Sequence, residues 1–114
     1  MKEYLFLLRA GKPASTKTEA ENRGELQAWG AFMGNLQKTG QLAGGLPLVS
    51  GGKTVSASKI SGEPVNSPEE GIVGGYLIIK ANSLDEAVEI AKLCPHIENE
   101  GNIEVREIGV MPAI

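Results

Sequence analysis

Residues 74–96 read GGYLIIKANSLDEAVEIAKLCPH, and the two halves of this stretch follow different periods. In 74–81 an apolar run rich in β-branched side chains follows two glycines, the pattern of a buried central strand. Beyond it, Ser83 stands three residues before Glu86 as in a capping box, and Asp85 and Glu86 put negative charge at the positive end of a helix. Leu84, Ala87, Val88 and Ala91 then fall at i, i+3, i+4 and i+7, so 83–94 reads as an amphipathic helix. Pro95 cannot continue it.

Upstream, EYLFLLR at 3–9 is apolar on both alternating faces, with Tyr4, Phe6 and Leu8 on one and Leu5 and Leu7 on the other. A strand covered on both sides is implied. Residues 10–17 form a loop. Thr18 with Glu21 makes a second capping box, and Leu26, Trp29, Met33 and Leu36, widened by Phe32, mark a helix to Lys38. Gly24, Gly30 and Gly34 each cost that helix up to ~1 kcal/mol against Ala, so packing must hold it. Gly40 suits the position after its C-cap. The stretch 41–52, QLAGGLPLVSGG, reads as a connector with inward-tucked apolar side chains, 53–60 as a weakly alternating strand, and 61–70 as a hairpin loop. After a loop at 96–101, NIEVREIGV sets Ile103 and Val105 against Glu104 and Arg106, a half-buried strand.

The order β-α-β-β-α-β predicts one α+β domain over 1–114, a ferredoxin-like plait with two helices on one face of a four-stranded antiparallel sheet. The helices cover one face only. Either Leu5 and Leu7 or Tyr4 and Phe6 would then meet water, more apolar surface than a monomer ordinarily leaves open. A homodimer whose two sheets close on each other is expected.

With 41% apolar and 22% charged residues the chain has the composition of a soluble globular domain. A net charge of −3 with interspersed signs leaves no footprint for nucleic acid, and no basic run suits a membrane surface. The apolar runs are far too short to span a bilayer, and Arg9 interrupts the first of them too early for a signal peptide, so a cytoplasmic location is expected. A lone Cys94 and a lone His96 exclude an internal disulfide and a Cys/His metal cluster; no cofactor and no metal are expected.

His96 is the one imidazole available for acid–base work, though just past a helix end it also suits plain carbonyl capping. Glu104 and Arg106 share the strand face opposite Ile103 and Val105. They are either a solvated ion pair or an inward pair whose arginine suits an anionic ligand, with Tyr76 as a further ligand-binding candidate. Glu63, Glu69 and Glu70 crowd a loop punctuated by Pro64, Pro68 and Gly71, where solvated carboxylates are common and paired ones can divide acid and base roles. Gly74-Gly75 precedes a strand, the wrong mechanics for a phosphate loop. Cys94 stands at the helix end that does not stabilise a thiolate and reads as packing.

The segments KEYLFLLR, W..FM..L...GQLAGGLPL, GGYLIIKANSLDEAVEIAKLCPH and GNIEVREI together resemble the YCII-related (DGPF-domain) family, from Met1 to about Ile108. The resemblance implies the dimeric α+β barrel form of the plait and a pocket between sheet and helices. It also implies relatives of several kinds, among them a dehydrochlorinase of chlorinated hydroquinones thought to use a His and an Asp as acid and base, and proteins that accompany sigma factors. The family's Asp-Gly-Pro-Phe falls on Glu63-Pro64-Val65-Asn66, where only acidity at the first position is kept, and its Lys-Glu falls on Glu70-Gly71. No histidine occurs on the first strand or first helix. The function expected is therefore a dimeric protein binding a small anionic or aromatic molecule at the sheet face. The alternatives are a lyase-like enzyme pairing Glu63 with His96, and a regulatory partner of a sigma factor.

Overall fold

The computed structural model describes residues 1–66 and 71–112; Pro68, Glu69 and Glu70 of the acidic loop lie outside them. The chain runs through β1 (Lys2–Ala10), α1 (Glu19–Lys38), β2 (Leu42–Pro47), a small hairpin of β3 (Thr54–Val55) and β4 (Ile60–Ser61), β5 (Val73–Ala81), α2 (Leu84–Lys92), α3 (Pro95–Glu98) and β6 (Gly101–Glu107). Four strands form one antiparallel sheet in the order β2-β5-β1-β6. Each crossover helix therefore links two strands that lie either side of a third, the split arrangement of a ferredoxin-like plait.

Alternation along β1 and β5 sorts the side chains. Tyr4, Phe6, Leu8, Leu77, Ile79 and Ala81 are buried beneath the helices. Leu5, Leu7, Tyr76 and Ile78 emerge half-buried on the other face, as a period of two requires. Phe32 and Leu36 of α1, Ala87 and Ala91 of α2, and Cys94 complete the core, with Ile103 and Val105 packed against it from β6.

Both helix starts use the predicted caps. Thr18 Oγ1 accepts from Glu21 N at 3.1 Å while the Glu21 carboxylate accepts from Thr18 N at 2.9 Å. The bond from the Thr18 backbone N–H, and after it the Thr18 hydroxyl, lower the pKa of the Glu21 carboxyl. Ser83 Oγ accepts from Glu86 N, but the Glu86 carboxylate turns to Gln41 and Asn82 instead of closing a box. Pro95 ends α2 and, as the first residue of α3, begins the next helical turn.

The second sheet strand departs from expectation. It lies at Leu42–Pro47, inside the stretch read as a connector, whereas 53–60 folds back on itself as the β3–β4 hairpin, closed by Ser56 N donating to Lys59 O at 2.8 Å. Two features hid β2. A register shift between Leu42 and Gly44 puts Leu42 opposite Ile79 but Leu46 opposite Tyr76, so the leucines break alternation. Gly45 is the second: a Cβ there would stand 2.8 Å from the Tyr76 carbonyl oxygen, so β2 reaches β5 only with glycine at the contact. The last strand also stops at Glu107, short of 110, and 95–98 is helical instead of loop.

Candidate functional site

Between α1 and the helix-covered side of the sheet lies a cavity of about 460 Å³. Leu8 and Leu77 line it from the sheet, Gly45, Leu46 and Pro47 from β2, and Leu26, Trp29 and Met33 from α1. Glu25 and His96 supply its polar side chains, and Tyr76 borders it from β5 with its side chain on the opposite sheet face. Trp29 meets Phe32 edge-on with ring centroids 6.0 Å apart. That contact sets the α1 roof against the core, and such geometry adds to the burial itself.

α3 holds the polar groups together. Its His96 Nε2 lies 2.7 Å from the carbonyl oxygen of Arg9 at the end of β1. Asn99, at its other end, accepts from Lys17 through Oδ1 at 2.9 Å, and Lys17 in turn pairs with Glu25. The Lys17 side chain is only 9% exposed, so the pair works in a poorly solvated setting where losing one partner strands the other. Through Lys17 and Asn99 the α1 carboxylate is thus tied to the short helix that carries the imidazole.

Of the residues expected to form a site, His96 lines this cavity, and Tyr76 borders it with its side chain on the open sheet face opposite Leu7. Glu104 and Arg106 do not. They sit opposite Leu7 and Leu5 on the face away from the helices, paired with each other at 3.2 Å, and Glu104 also meets Arg9 at 3.5 Å. Glu63 is exposed beyond the small hairpin, its carbonyl accepting from Thr54 Oγ1 at 2.7 Å, and it is not among the cavity-lining residues. Cys94 is buried, and loss of hydration pushes its thiol up to about 11 against a weaker opposing bond from the His96 backbone, the profile of a packing residue.

Sequence reasoning missed Glu25 and Lys17. Glu25 lies four residues before Trp29 and so one turn along the apolar stripe of α1, a charge where the period calls for a core residue. That signal was available. Lys17 carries none, because its partners are 8 and 82 residues away in the chain. Among the described residues no three His, Cys, Asp or Glu side chains cluster as a metal ion would need. Nor is any helix there long and apolar enough to cross a membrane.

Among solved structures, 5-chloro-2-hydroxyhydroquinone dehydrochlorinase from Burkholderia phenoliruptrix, in complex with 2,5-dihydroxybenzoquinone, superimposes with a TM-score of 0.53 over 94% of this chain and 93% of its own. At 19% identity the match speaks for a shared fold. A search of curated proteins found no match. The model of the YCII-related domain matches residues 4–112, nearly the full length, and the chain belongs to the YCII-related family.

Proposed function

We propose that the chain is a dimeric small-molecule-binding protein whose ligand occupies the cavity under α1. The observation that carries this reading is the cavity's size and lining: about 460 Å³, apolar over most of its wall, with a few polar groups. Ligand sites ordinarily span ~300–1,000 Å³ and look like this. Among the described lining residues there is no lysine or arginine, which favours the aromatic over the anionic class of ligand. In this reading His96 serves the ligand. Arg106 and Glu104, on the open face with Leu5, Leu7 and Ile78, belong to the contact with a second copy.

Trp29 is the single tryptophan and lines the cavity, so its emission reports on occupancy. Titration with a panel of small aromatic and anionic probes is expected to change that emission saturably and to raise Tm for the aromatic ones. A panel in which no probe does either overturns the binding reading. The dimer is tested by sedimentation: a wild-type dimer that Leu7→Lys converts to a folded monomer is expected, and a wild-type monomer rejects it.

An enzyme is the second reading, on the observation that an imidazole and a carboxylate, His96 and Glu25, line one cavity. It requires turnover of a bound compound that Glu25→Gln and His96→Gln each abolish without abolishing binding.

A further inference from the structure

We propose that His96 offers a bare Nδ1 as hydrogen-bond acceptor to a hydroxyl carried by a ring compound in the α1 cavity. The proposal rests on the cavity being the binding site, and adds the chemical class of its ligand.

The tautomer follows from the partner. His96 Nε2 lies 2.7 Å from the Arg9 carbonyl oxygen, and a carbonyl can only accept. Nε2 therefore carries the hydrogen. A neutral imidazole has one N–H, so Nδ1 keeps its lone pair, and no described residue donates to it.

The backbone is bent to fit this ring. A Cβ at Gly101 would overlap the imidazole, and one at Gly11 would come within 3.0 Å of Cε1. The neighbouring Ala10 and Glu100 take φ of 58° and 62°, left-handed values that cost non-glycine residues energy and that cluster where geometry serves function. The ring is thus seated between the end of β1 and the start of β6, with its orientation fixed before any ligand arrives.

The surroundings select the ligand. Trp29, Leu8 and Leu77 offer apolar wall to a ring. The Glu25 charge is taken up by Lys17, and the described lining holds no cation, so a carboxylate or phosphate would find no counter-charge. A neutral hydroxyl needs only an acceptor, which Nδ1 provides.

The single histidine makes the test unambiguous. Ring ¹⁵N resonances of the wild type, recorded with the imidazole neutral, are expected to show Nε2 protonated and Nδ1 bare. 2-Naphthol is then compared with 2-methylnaphthalene, a probe of matching shape without the donor. Naphthol is expected to move the Nδ1 resonance, leave Nε2 in place, and bind about tenfold more tightly, the equivalent of one net hydrogen bond of about 1.4 kcal/mol. In His96→Phe the two probes should bind alike. Equal affinities for the wild type with Nδ1 unmoved overturn the His96 proposal while leaving the cavity reading intact, and so does an Nδ1-protonated tautomer. If neither probe perturbs the Trp29 or Leu77 amides, the cavity reading falls and takes this one with it.

Discussion

α1 and α2 cover the same sheet face with opposite chemistry. α2 presents Ala87 and Ala91, at 0% and 7% exposure, and small side chains let a helix lie close on the strands beneath. α1 presents Trp29, Phe32, Met33 and Leu36, and only Phe32 and Leu36 are fully buried. Bulky residues prop a helix away from its support, since interaxial distance follows the side chains at the contact. The middle of α1 therefore roofs a cavity, with Leu26 left 75% exposed beside it. The space of about 390 Å³ beside α2 lies toward β6, against Ile103 and Val105, and leaves Ala87 closely packed. One helix finishes a core and the other frames a container.

Both halves stand on β1, so the largest effect is expected there. Phe6 is 0% exposed at the centre of the sheet, and Phe6→Ala should cost about 3–5 kcal/mol in urea unfolding. A loss under 1 kcal/mol would mean that the floor is no better packed than the cavity above it. Ala87→Leu asks whether α2 has space in reserve. Overpacking costs ~1–3 kcal/mol, and at a site with no exposure the upper end, about 3 kcal/mol, is expected. Tolerance of the leucine would erase the contrast between the helices.

Cys94 marks the boundary of the close-packed half, and pH reads its environment. Burial raises its thiol to about 11, so the folded state holds the proton more tightly than the unfolded chain. The stability this supplies is complete below the ordinary thiol range and is lost as pH rises through about 11, on the order of 2 kcal/mol. Cys94→Ala should remove that slope from unfolding measured between neutral pH and pH 11. An unchanged slope would show that the thiol does not cause it.

The close-packed half was also the half legible in the sequence. Strand 74–81 and the helix after it follow clear patterns, and alternation set Glu104 and Arg106 opposite Ile103 and Val105. The packing of Ile103 and Val105 against the core then puts the charged pair on the face away from the helices. Around the cavity, local pattern fails for identifiable reasons. β2 is bulged near Ala43 and thinned by glycine, so it lacks a strand's period. The His96 ring finds its partner 87 residues away on β1, and the Lys17–Glu25–Asn99 link joins a loop, a helix and the end of another. A container is assembled from such long-range contacts, which no window of sequence contains.

The smallest effect tests whether the outer side of α1 is free. At Gly24, Gly30 and Gly34 an added Cβ would meet no atom within 4 Å, so alanine brings no clash. Each Gly→Ala should then stabilise by roughly 0.5–1 kcal/mol, through better helix propensity and a less flexible unfolded chain. Gains at these separated positions should nearly add. α2 contains no glycine and offers no comparable reserve. Gly30→Ala is the sharpest of the three: a gain in the monomeric Leu7→Lys background that turns into a loss in the wild type would mean that the second copy packs on α1. The contact between copies would then extend beyond the open sheet face.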